Sequence, residues 1–238
     1  MNYLNPVIFY KAIEWHQGSP DNAAIGIDWK AIFLKHFSVY GQFLIDDFKA
    51  NELFRERRGW FANKYAFQSG IKYIDAFNIT QLDIQLEYNM ARPYTYSHFD
   101  TTINYTHYNQ ALAHPLGSNF QEFLGIVRYK PHPKISILNK LMYAQKGDNT
   151  DSLNFGGDIF ADQNTYISEF GNELLQGNEK AIIHNQFVFS YMPWHNIFID
   201  AIYQFRSETY DLLVAEKPLT HYAGLHFRMN IAVKDFLF

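Results

Sequence analysis

Polar and apolar residues alternate along most of this chain. From Gln81 to Met90, Gln81, Asp83, Gln85, Glu87 and Asn89 fall on one side and Leu82, Ile84, Leu86, Tyr88 and Met90 on the other. A period of two belongs to a β-strand with unlike faces, and no amphipathic helix produces it. From Ile197 to Glu208, Ile197, Ile199, Ala201, Tyr203 and Phe205 oppose Asp200, Gln204, Arg206 and Glu208. Near the C-terminus, Ala223, Leu225, Phe227, Met229, Ile231 and Val233 oppose His226, Arg228 and Asn230. In each of these segments every charge lies on one face. The pattern predicts strands at 6–16, 23–34, 37–47, 62–75, 80–93, 121–130, 134–146, 181–192, 197–209 and 221–234.

Most of these segments are longer than the soluble mode of about 5–6 residues and reach the roughly 9–11 that a tilted strand needs to cross hydrocarbon. The connections near 34–36, 75–79, 131–133 and 193–196 are tight, and those at 48–61, 94–120, 147–180 and 210–220 are long. The one at 17–22 is intermediate. Outer-membrane barrels keep short turns on the periplasmic side and long loops outside. The expected fold is therefore all-β: an antiparallel up-and-down transmembrane β-barrel of about ten strands. It forms one domain over 1–238, with loops extracellular and the C-terminus periplasmic. A one-sided sheet in a soluble β-sandwich also alternates, so that fold stays open as an alternative.

Composition changes this picture little. Aromatic residues make up 18% of the chain, with 22 Phe and 17 Tyr, yet no apolar run reaches the roughly 18 residues of a transmembrane helix. Cysteine is absent, which removes disulfides and thiolate metal sites. A formal net charge of −4 argues against a nucleic-acid surface. Phe33, Phe37, Phe77, Tyr191 and Trp194 flank predicted turns, and Phe236 and Phe238 end the chain. Rings at those places suit the headgroup level of a membrane, where an apolar body and a polar tip are both accommodated. A secreted barrel begins with a signal peptide, and the stretch after Met1 does not read as one. This predicts that the chain is the C-terminal part of a larger barrel.

An Arg or Lys facing lipid at the midplane costs about 2–4 kcal/mol, so the charged face must point inward. Asp83, Gln85, Glu87, Lys140, Gln204, Arg206 and Arg228 are the chief lumen-facing candidates, with Lys72, Gln81, His184, Gln186 and His226 beside them. Their mixed signs predict pairing across the lumen, and a porin-like channel for small solutes is the alternative use. The loop at 94–120 crowds together Tyr94, Tyr96, His98, Tyr105, His107, Tyr108, Asn109, His114 and Asn119. Flat rings stack on sugar faces, and amides and imidazoles hydrogen-bond hydroxyls, so these are candidate glycan-binding residues. The same rings could instead pack the loop onto the barrel rim or plug it.

The histidine spacing in that loop matches no compact metal motif, and Asp148–Asp158 lacks the EF-hand pattern. The acidic stretch reads as a flexible solvated loop, and neither metal nor cofactor is expected. No Gly-x-Ser-x-Gly elbow occurs, and His184 and Ser190 stand about 20 Å apart at strand rise. The chain is expected to be non-enzymatic.

Five stretches carry a family resemblance: LNPVIFYKAIEWHQGSPDNA at 4–23, RPYTYSH at 92–98, NYTHYNQALAHPLGSNF at 104–120, NFGGDIF at 154–160 and FSYMPWHN at 189–196. They resemble the Wzi-like capsule-assembly outer-membrane barrels, and within that group the gliding-motility accessory proteins termed RemB. The resemblance implies a barrel that holds or organises surface polysaccharide, or supports surface adhesion and motility, without known catalysis. The implied partners are outer-membrane lipid, surface polysaccharide and other cell-envelope proteins. Members of that family are longer, with a signal peptide and further N-terminal strands. The resemblance supplies no motif that maps glycan-binding residues, so the loop candidates rest on chemistry and position alone.

Overall fold

Among the described residues, each long alternating segment pairs with the next long one along the chain. The computed structural model describes residues 24–100, 103–210 and 218–230. Within them run β1 (Ile25–Phe33), β2 (Phe37–Asp47), β3 (Lys64–Tyr73) and β4 (Leu82–Ala91). A small hairpin, β5 (Thr106–His107) and β6 (Gln110–Ala111), lies inside the next connection. Then follow β7 (Phe120–His132), β8 (Ile135–Asp148), β9 (Asn178–Trp194), β10 (Ile197–Tyr210) and β11 (Leu219–Met229). The long strands form one nine-stranded antiparallel sheet in the order β1-β2-β3-β4-β7-β8-β9-β10-β11. These are the predicted segments from 23–34 onward. The predicted strand at 6–16 lies outside the described residues, as do Phe236 and Phe238. Among the described residues no pairing joins β1 to β11.

On one face of this sheet large apolar side chains are exposed, and on the other polar ones are buried. Leu86 is 57% exposed, Leu225 80% and Phe227 70%, whereas Gln85, Asn89, Glu122 and Asp200 are buried at 5–8%. Register carries the apolar face from strand to strand, through Ile27↔Phe43, Ile71↔Leu86, Tyr88↔Phe123, Tyr143↔Ile183 and Ile199↔Phe227. Amides interrupt it in two places: Asn139 and Asn185 turn toward each other at 3.4–3.5 Å, and nearer the loop end Gln121 donates to Gln145 at 2.7 Å, which donates to Glu179 at 2.8 Å. No second sheet covers this face among the described residues. A β-sandwich would bury it.

The polar face, the inner one of the expected barrel, is held by hydrogen bonds along and between nearby strands. Glu87 accepts from Tyr40, from Gln68 at 3.1 Å and from Asn89 at 3.0 Å. Asn89 also donates to Glu122 at 2.8 Å, and Arg128 donates to Gln85 at 3.1 Å. Gly70 is required here, because a Cβ on it would stand 2.4 Å from the Tyr40 ring. On the far strands Arg228 pairs with Asp200 at 3.1 Å and Arg206 with Glu208. Gln204 is register partner to Gln186, as is Lys140, and the Asp83 carboxylate accepts from the backbone of Asp75 at 3.3 Å.

All tight turns fall at one end of the sheet and all long connections at the other. At the turn end an aromatic row runs Phe33–Phe37–Tyr73–Phe77, with centroid separations of 5.5, 4.4 and 5.6 Å. Trp194 and Tyr191 are also exposed at that end.

Candidate functional site

Three connections, 48–63, 92–119 and 149–177, pack together at the loop end. A small apolar core of Ala91, Tyr96, Phe120 and Ile159 joins the second and third connections to the inner face through Leu44 and Ala66. Phe61, from the first, stacks on Tyr166 at 4.0 Å and meets Tyr94 edge-on at 6.1 Å. Buried Lys64 donates to Ser97 O at 2.7 Å and to Gln163, with Asp46 and Asp47 supplying the nearby negative charge. The stretch 148–158 is ordered by its own amides rather than free in solvent. Asn149 Oδ1 accepts from Phe155 N at 2.8 Å and Gly157 N at 3.1 Å, and Asn154 Oδ1 accepts from Gly156 N at 2.9 Å.

This packing divides the glycan candidates. Tyr94, Tyr96, His98 and Asn119 are buried inside the cap. Tyr94 Oη donates to Asn154 O at 2.7 Å, beside Gly156, whose φ of +79° and close approach to Tyr94 N exclude a side chain. His98 lies 3.2 Å from the Asp46 carboxylate. Asn119, at φ 55°, donates through Nδ2 to Gly147 O and Gln176 O, both at 2.8 Å, and accepts from Leu175 N at 2.7 Å. Burial pushes the Tyr94 and Tyr96 phenols up, and for Tyr96 the Asp46 charge adds to it, so both rings stay neutral donors at ordinary pH. Asparagines and tyrosines were the residue types expected of a ligand site; here they satisfy loop backbone groups that strands cannot reach.

Tyr105, His107, Tyr108 and Asn109 remain accessible. Tyr108 and Asn109, with φ of 48° and 57°, form the two-residue tip of the β5–β6 hairpin, the geometry of a type I′ turn. Tyr108 is 88% exposed, and the His107 ring meets it edge-on at 4.3 Å. His114 is half-buried, stacked on Phe120 at 4.4 Å and 3.2 Å from Glu122 on the inner face.

Beside the hairpin opens a groove of about 570 Å³, lined by Asn109, Gln110, Lys146, Asp148, Asn149, Asp158 and Phe160 among others. Asp148 bridges Lys146 at 3.3 Å and Lys180 at 2.5 Å. Ala111, Pro115, Leu116, Ile159 and the exposed Phe160 ring give the groove an apolar wall, and the amides and paired charges opposite give it polar groups, a mixed lining that suits a ligand with both a flat apolar face and hydroxyls. Sequence reasoning missed the second wall of this groove, although Phe155 to Phe160 stood in view as a Phe-Gly-Gly-Asp stretch. Comparison of the chain with protein-family models, with curated proteins and with solved structures finds no match.

Proposed function

We propose that the protein forms the wall and loop cap of an outer-membrane β-barrel, a non-enzymatic one that engages surface polysaccharide at its loop end. The observation that carries the membrane reading is the inverted sheet: an apolar face across nine strands that no other described residues cover, backed by buried and hydrogen-bonded polar groups. Soluble monomers rarely expose contiguous apolar patches beyond about 300–600 Å². Hydrocarbon removes that cost, and closure of the sheet into a barrel satisfies its edges. The alternation of tight and long connections orients the loops outward.

The polysaccharide reading is supported by the exposed hairpin tip and the neighbouring groove, together with the resemblance to capsule-assembly barrels. A cap folded against the inner face favours surface attachment over solute conduction. Replacement of His107, Tyr108 and Asn109 by Ala tests it. The expected result is loss of capsular polysaccharide from cells whose variant protein still fractionates with the outer membrane. Undiminished retention would remove the polysaccharide role. Recovery of the unaltered protein in detergent-free buffer as a monodisperse species would remove the membrane role.

A further inference from the structure

A second groove, of about 730 Å³, opens on the opposite, apolar side of the sheet at its loop end. Its floor is Phe43, Ile45 and Tyr65, whose register partners continue the outward apolar face. One wall is the short π-helix Glu52–Glu56 with the Arg57–Gly59 turn, and the other is residues 171–174. We propose that this groove binds an anionic lipid with a terminal phosphate from the surrounding leaflet, its headgroup on Arg57 and Arg92 and its chains along Phe43 and Ile45. The proposal rests on the membrane reading above, since only a lipid-facing sheet brings such a ligand to this face.

Charge and apolarity coincide here as that ligand requires. Arg58 is committed: Glu52 and Glu56 pair with it, the latter at 2.8 Å, and it lies 4.2 Å above the Phe170 ring. The hydrogen bond it donates to the Glu52 carboxylate raises its affinity for the proton further. Arg57 is exposed, held in a left-handed conformation at φ 50°, and has no ion-pair partner among the described residues. Arg92 donates through Nη2 to Asn172 O at 2.8 Å and stacks 5.6 Å from Tyr65, while its buried Nε has no partner. Arg92 as a whole is half-buried and lines the groove with exposed Arg57, and paired guanidinium groups suit a phosphate, whose oxygens accept from their planar N–H donors. The remaining acids nearby are Glu169 and Glu173, and Glu173 is the one that lines the groove. Phe54 and Phe48, 66% and 43% exposed, stand beside these cations. Aromatic rings next to arginines are the composition of an element seated at the headgroup boundary.

The whole protein, reconstituted into phosphatidylcholine vesicles with and without phosphatidic acid, provides the test. Native mass spectrometry of lipid retained after detergent release reads the outcome. Phosphatidic acid should be retained over phosphatidylcholine, and Arg57→Gln, at an exposed position that folding does not need, should cut that preference about tenfold. Arg92→Gln should do the same, and Arg57→Lys should restore only part of it. Equal retention of both lipids by protein that has inserted normally would overturn the inference while leaving the membrane reading intact. Failure to insert into either vesicle would overturn both. If inorganic phosphate alone displaced the lipid completely, the site would be one for a free anion and the lipid occupant would be wrong.

Discussion

Tyr96 and Tyr108 belong to one loop and have opposite surroundings. Tyr96 fills the small core with Ala91, Phe120 and Ile159, and Tyr108 projects from the hairpin tip. Removing a buried ring forfeits both its transfer energy and its packing, about 3 kcal/mol or more, whereas exposed substitutions stay within about 0.5 kcal/mol. Tyr96→Ala should therefore lower the unfolding midpoint in detergent and expose 149–177 to protease, while Tyr108→Ala should do neither. Asn119→Ala carries a separate cost, because Gly147 O, Gln176 O and Leu175 N lose their buried partner at once. A loss of about 2–3 kcal/mol is expected. A stability equal to the parent's would show that water replaces the amide. Composition marked this loop as rich in ligand-type side chains but could not tell Tyr96 from Tyr108. The discriminating contacts come from Asp46 and Ile159, far away in sequence.

At the level of elements, the strands were legible because alternation is a local signal that each segment repeats in full. Strand ends moved by a few residues where loops donate bonds to the last pairs, as Arg92 N does to Tyr65 O. The β5–β6 hairpin escaped notice because two-residue strands carry no periodicity, although Tyr108-Asn109 flanked by polar residues was a weak turn signal. The outward groove escaped too: Phe48, Phe54 and Arg57 lie in a connection with no alternation to interpret. The strand faces themselves yield a sharp prediction. Leu86 is outward in β4, flanked by Ile71 and Gly125, and is already 57% exposed. In water Leu86→Arg would be close to neutral. In a bilayer it should cost about 2–4 kcal/mol, read as a lower urea midpoint for refolding into vesicles. A neutral result in vesicles would mean that hydrocarbon does not touch this face.

For the whole molecule, the question is what an inner face with a folded cap permits. Its ion pairs and amides are mostly matched to one another, as in Asn89–Glu122 and Arg228–Asp200, which leaves few groups free to select a solute. The core of Tyr96, Phe120 and Ile159 then seats two long loops against that face, and Asn104 ties them together by donating to Ile159 O at 2.7 Å. A pathway through the proposed barrel needs this cap to leave, and leaving would break buried hydrogen bonds that each cost about 1–3 kcal/mol when unmet. The intact protein in a planar bilayer should accordingly be silent at moderate voltage. Replacing both 95–117 and 151–175 by short turns takes out Tyr96, Asn104, Ile159 and the hairpin but leaves β4, β7, β8 and β9 whole, so the strands retain their register. That variant should conduct in steady steps. Step conductance from the intact protein would instead make the loops a lining rather than a plug, and the groove beside Asn109 the mouth of a channel.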